Sequence, residues 1–184
     1  MRTDIPRVPP LSDEALDEDT RARFGGAFVL NIFRTLAHHP KLLKRWLVFG
    51  NHILAKNTLP ERDRELLILR IGWLCRAEYE WTQHVVIGKR AGLSDDDLAR
   101  IAIGSAAEGL DPFDRIQLRA VEELHGDAHI SDGTWAALAE RYDTQQIIDL
   151  IFTVGQYQMV SMVLNSLGVQ LDAGLARLPE GKRP

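Results

Sequence analysis

The chain has 184 residues, 45% hydrophobic and 26% charged, an ordinary balance for a globular protein long enough to bury a core. Its net charge of -4 argues against general binding to nucleic acid or to an anionic membrane surface, both of which attract basic proteins. A single cysteine, Cys75, excludes an intrachain disulfide, and no uninterrupted apolar run approaches the ~18 residues of a membrane span. The opening "MRTDIPRVPP" has no apolar signal core, so a cytoplasmic location is expected.

Residues 1–11 are proline-rich and should form an extended arm, because proline and the residue before it avoid helix. The stretches "FGGAFVLNIFRTLAHHP" and "KLLKRWLVFGNHILAKN" carry apolar residues at three- and four-residue spacing, which predicts two helices. His38-His39 before Pro40 reads as the C-terminus of the first, where imidazoles suit the helix dipole. "TLPERDRELLILRIGWL" follows, with Thr58 three residues before Glu61 at capping-box spacing and Pro60 in the first turn. Ser94 opens "SDDDLARIAIG", whose acids lie where the dipole favours them. Asp111-Pro112 starts the next helix, which Gly126 should end, and "DGTWAALAERY" is short and amphipathic. Asp143 and Gln146 cap the last, "TQQIIDLIFTVGQYQMVSMVLNSLGVQL". Alternating strands and Asn-Gly hairpins are missing, so residues 1–184 read as one all-α domain. The final helix is apolar on most of its circumference, which predicts burial partly against another subunit.

The chemistry concentrates in "CRAEYEWTQHVVIGKRAG", residues 75–92. Glu80 and His84 are four apart and share one helix face, with Ala77 one turn earlier. A carboxylate against an imidazole is a unit of acid–base catalysis, because burial and the partner's charge shift each group's pKa in opposite directions. The alternative is a surface pair worth a few tenths of a kcal/mol. Glu65 lies 15 residues before Glu80, about 60° around an unbroken helix. A break between Gly72 and Ala77 would let two helices meet with Glu65 facing Glu80 and His84; pairing of Glu65 with Arg62, Arg64 or Arg70 is the competing outcome. Tyr79 and Trp81, flanking the Glu80–His84 stripe, are candidate substrate contacts together with His52 and Tyr157, polar groups in apolar helices. His125 and His129 are four apart but lack a third ligand at a recognised spacing, so no metal site is indicated. Without a glycine-rich phosphate loop or a zinc cysteine pattern, no cofactor is indicated either.

The run "RELLILRIGWLCRAEYEWTQHVVIGKRAGLSDDDL", with Arg64-Glu65-Leu66, Glu80, His84 and Ala91-Gly92-Leu93 in order, resembles the carboxymuconolactone decarboxylase family, which includes alkylhydroperoxidase D type proteins. The likeness covers roughly residues 40–125, more loosely the last helix. It implies an alkylhydroperoxidase D-like fold of about eight helices, assembled as trimers or hexamers. The peroxidase branch of the family carries Glu, eleven residues, Cys, two residues, Cys, three residues, His. Aligned on His84, its glutamate falls on Glu65 and its cysteines on Ala77 and Glu80, so both thiols are replaced. Cys75 lies two residues before the first of those positions.

The decarboxylase branch does not need the thiols. The resemblance therefore implies a cofactor-independent acid–base enzyme on a small carboxylated lactone or related carbonyl compound. His84 would be general acid or base, Glu80 its orienting partner and Glu65 a second carboxylate. A carboxylated substrate would also call for a cation, and neither Arg70 nor Arg76 can be placed from sequence. A thiol peroxidase and a non-catalytic ligand-binding oligomer are the alternatives.

Overall fold

The residues Leu66, Leu67, Ile68, Leu69 and Ile71 occupy every side of a helix, and such a helix is stable only when surrounded. In the computed structural model, which describes residues 2–24, 29–175 and 177–178, they form the centre of α4 (Glu61–Leu74), buried from Asp63 to Gly72. Around it pack α5 (Glu78–Arg90), α6 (Asp95–Ile103), α7 (Pro112–Asp127) and α9 (Thr144–Leu167). The short α8 (Asp132–Ala139) leans on α7 and α9. On the far side of α9 lies α3 (Pro40–Ala55), preceded by two single-turn-scale helices, α1 (Glu18–Arg23) and α2 (Asn31–Leu36). The described residues thus hold nine helices and no strand; the ninth beyond the expected eight is α1, started by Asp17, whose carboxylate accepts from Thr20 N–H.

Polar groups inside this core are tied down. Asp63 accepts from the Tyr142 hydroxyl at 2.6 Å, and Arg70 donates to the carbonyls of Ile101 and Ala102 and to Glu122. Arg70 is thereby held away from α5, against α6 and α7. Asn165, on α9, donates to the Cys75 carbonyl at 2.9 Å, capping the end of α4.

Several local expectations hold and several fail. Ser94 with Asp97, and Asp143 with Gln146, form complete capping boxes, and Asp111 caps α7 with Pro112 at its first position. The arm runs extended across the end of α9, Arg7 and Val8 donating N–H bonds to the Leu167 carbonyl. Thr58 does not cap α4, because Asp149 of α9 takes both its N–H (2.7 Å) and its hydroxyl (2.8 Å). α7 passes through Gly126 and stops at Ala128, which adopts the left-handed conformation. The long helix expected over "FGGAFVLNIFRTLAHHP" is only α2; residues 25–28 of that run lie outside the described residues. His39 caps the start of α3, accepting from Leu42 N–H, instead of closing the helix before it.

α9 is buried on one side, through Leu150, Val154, Val160 and Leu164, and bare on the other. Its best 18-residue stretch has mean hydropathy 1.5, enough by length and composition to cross a membrane, with 56% of that stretch buried against the rest of the protein. The sequence criterion of an uninterrupted apolar run misses this, because scattered amides and hydroxyls break the run without lowering its mean hydropathy much.

Candidate active site

The chain reverses between α4 and α5 through Cys75, Arg76 and Ala77. Arg76 takes the left-handed conformation (φ 53°), its N–H bonds the Trp73 carbonyl and that of Ala77 the Gly72 carbonyl, a Schellman closure without glycine. Gly72 itself stays helical. A Cβ there would stand 3.6 Å from Glu80 Cγ, in ordinary contact. Gly88, one turn beyond His84, is tighter: a Cβ would come 2.9 Å from Leu93 Cδ1 and 3.2 Å from Leu69 Cδ1. Gly88 thus keeps α5 close against α4.

That closeness brings the three predicted residues together. His84 Nδ1 lies 2.6 Å from Glu65 Oε2, across the helix pair, and His84 Nε2 lies 2.9 Å from Glu80 Oε1, one turn back on α5. Glu65 is fully buried, Glu80 and His84 nearly so. The competing partner Arg64 also lies beside Glu65, its Nε 3.4 Å from Oε1, a contact of charge without an aligned hydrogen bond. The Tyr157 ring of α9 stands edge-on to the imidazole, centroids 4.9 Å apart.

Among the described residues no three His, Cys, Asp or Glu side chains are arranged as metal ligands, and both His84 nitrogens already face carboxylates.

The trio opens on a cavity of about 250 Å³ between α2, α3, α5 and α9. From α5 come Tyr79, Glu80, Gln83, His84 and Ile87. α9 supplies Gln156, Tyr157 and Val160, and α3 supplies Trp46, Leu47, Gly50 and Leu54. Leu30, Ile32 and Phe33 close the remaining wall. That wall is anchored by buried Asp172, which accepts from Asn31 N–H (2.7 Å), Gln83 Nε2 (2.6 Å) and the Tyr79 hydroxyl (2.5 Å). A wider recess of about 490 Å³ between α1 and α3 holds no comparable cluster.

Of the four expected substrate contacts, Tyr79 and Tyr157 line the cavity. Trp81 does not: its ring packs edge-on against Trp73 (4.8 Å) in the core, because position 81 faces α4 and not α3. His52 does not either; it is half exposed, 3.7 Å from Asp149 and beside a separate recess, on the side of α3 away from α5. Sequence reasoning missed Gln156, Gln83, Asn51 and Trp46 as lining residues. Gln156 did carry a signal, as a lone amide on an apolar helix next to Tyr157. Asp172 carried none.

The electrostatics follow from burial. Desolvation is the strongest influence on His84 and would lower its pKa, but the negative charge of Glu80 and the bond to Glu65 together outweigh it and raise the pKa to about 9. His84 is therefore an imidazolium at neutral pH, donating from both nitrogens. Burial, then the charges of Glu80 and Glu65, push the Tyr157 phenol well above its ordinary range, so it stays protonated. Burial also raises the Cys75 thiol, which lies 4.0 Å from His125 Nδ1 and does not line the cavity. Between the ordinary imidazole value of 6.5 and about 9, the folded chain holds one proton more than the unfolded chain. Stability from this group is complete below the lower value and is lost as pH rises through the upper, at a slope of up to ~1.4 kcal/mol per pH unit. Urea unfolding across that window should show this decline in the native protein, and His84→Gln should remove it; an unchanged slope in the variant would count against the buried imidazolium.

The family model of the carboxymuconolactone decarboxylase family matches residues 40–123. No curated protein matches the chain. Among solved structures, the chain is similar to the alkylhydroperoxidase AhpD core of an uncharacterized peroxidase-related protein from Ralstonia eutropha JMP134, at 20% identity over 93% of this chain and 94% of that one, TM-score 0.82. It is also similar to an uncharacterized peroxidase-related protein from Silicibacter sp. TM1040, at 17% identity over 94% and 92%, TM-score 0.72. A third similar structure is the debrominase Bmp8 in complex with 2,3,4-tribromopyrrole, at 16% identity over 90% and 91%, TM-score 0.73. Identities this low speak for the fold, and the matched segment holds Glu65, Glu80 and His84. Residues 40–123 are thus similar to the carboxymuconolactone decarboxylase family, and the chain has the alkylhydroperoxidase D-like fold.

Proposed function

We propose that the protein is a cofactor-independent acid–base enzyme acting on a small lactone or related carbonyl compound. The observation that carries this reading is the Glu65–His84–Glu80 chain opening on an apolar cavity. Glu65, fully buried, cannot meet a substrate and serves to hold His84, the orienting role that the sequence reading gave to Glu80. Glu80 lines the cavity and is the base placed to take a proton from carbon beside a carbonyl. The electron pair then moves onto the carbonyl oxygen as an enolate, to which the protonated Tyr157 phenol of the cavity wall donates a hydrogen bond. The proton held on Glu80, backed by the His84 imidazolium, returns to carbon and completes an isomerisation.

The thiol peroxidase reading has little support. Ala77 and Glu80 stand where the cysteine pair would be, and Cys75 is a half-buried thiol outside the cavity. Proton nuclear magnetic resonance in deuterated water tests the acid–base reading directly, with a panel of cyclic ketones and lactones. The native protein should speed deuterium uptake next to the carbonyl, and Glu80→Gln should slow it by ~10²–10⁴-fold. Uptake unaffected by Glu80→Gln and His84→Gln would defeat the proposal.

We also propose that the bare side of α9 is a contact between copies of this chain, as in a trimer or hexamer. Ile148, Phe152, Met159 and Met162 are each about half exposed, spaced as one seam of a helix pair. Phe152 meets Phe49 of α3 edge-on at 6.1 Å, which carries the patch onto α3. Apolar surface this contiguous marks an interface, and Asp149 is the only charged residue on α9, which suits a like surface. Sedimentation should give an oligomer for the native chain and a monomer for the Phe152→Asp, Met159→Asp double variant; a monomeric native chain would contradict the proposal.

A further inference from the structure

We infer that the cavity selects an uncharged, single-ring compound carrying an N–H or O–H donor, and rejects carboxylates; this rests on the reading of the cavity as the substrate site. Size sets the first limit, since about 250 Å³ admits one ring with short substituents. Charge sets the second. Glu80 and His84 are the charged groups among the lining residues, and they neutralise one another at 2.9 Å. Among the described residues, the buried guanidinium beside the trio, Arg64, is paired with Glu65, and Arg70 is held by Glu122 and two carbonyls. A carboxylate entering this apolar space would lose its water and meet Glu80 without a cation to compensate. An ammonium group would meet Glu80 already paired with the imidazolium.

Hydrogen bonding sets the third limit. Gln156 lines the cavity, is 4% exposed, and its Oε1 is buried with no hydrogen-bond partner. Buried amide oxygens are almost always paired, so this acceptor is matched by a donor that arrives with the ligand. Opposite it on α3, Gly50 presents only a Cα; even a Cβ there would stand 3.7 Å from Gln156 Nε2, in ordinary contact. The amide therefore has freedom to turn its oxygen to a ligand. The acceptor fixes one edge of the ring while Glu80 and the Tyr157 phenol address the reacting edge. The carboxylated lactone implied by the family resemblance fits this site less well than its uncharged relatives.

Calorimetric titration of the full chain with phenol, anisole and benzoate at neutral pH tests the inference, the three differing in a donor, a blocked donor and a carboxylate. Phenol should bind about tenfold more tightly than either of the others, the difference expected when a buried acceptor is matched or left bare. Gln156→Met should erase the preference of phenol over anisole while leaving anisole affinity unchanged, which also reports that the variant is folded. Benzoate binding tightest, no binding of any of the three, or a phenol preference that survives Gln156→Met would overturn it. The catalytic reading fails separately: a phenol preference retained in Glu80→Gln, alongside deuterium uptake that never depends on Glu80, leaves the binding inference standing and removes the acid–base role.

Discussion

The structure turns on a buried positive charge held between two buried negative ones. A histidine at this depth would ordinarily lose its proton, because desolvation penalises the charged form. Here Glu65 reaches it from α4 at 2.6 Å and Glu80 from its own helix at 2.9 Å, and their combined effect is the larger. The arrangement demands that α4 and α5 lie close along more than a turn. Gly88 permits the approach, and the Arg76–Ala77 reversal supplies the register. Arg64 completes the set, so that two cations and two carboxylates leave the cluster without net charge.

The cavity depends on a second buried carboxylate that takes no part in the proton chain. Asp172 gathers donors from α2, from Tyr79 and from Gln83, fastening the wall formed by Leu30, Ile32 and Phe33 to the helix that carries Glu80 and His84. α2 is only six residues long and begins without a side-chain cap of its own. The bond from Asn31 N–H to Asp172 does that work from a distant part of the chain. Chemistry and enclosure are therefore supported by different carboxylates.

What could be read from the sequence was what local spacing encodes. Four-residue spacing placed Glu80 beside His84, and the expected break between residues 72 and 77 brought Glu65 to them, although Arg76 and not Gly72 makes the turn. Ser94 and Asp143 announced their helices because capping is local. Contacts across the chain were not legible. Thr58 looked like a cap until Asp149, 91 residues away, took its donors. Trp81 and His52 had the right chemistry in the wrong direction, since which face of a helix meets the cavity is decided by its neighbours. The positions within the trio were likewise invisible: only the fold shows that Glu65 is fully buried and that Glu80 lines the cavity.

Everything at this site depends on the charge on His84, and nitrogen-edited nuclear magnetic resonance of the imidazole measures it directly. Protons on both ring nitrogens at neutral pH and a midpoint near 9 are expected. A single ring proton at neutral pH, with a midpoint at or below the ordinary 6.5, would contradict that expectation.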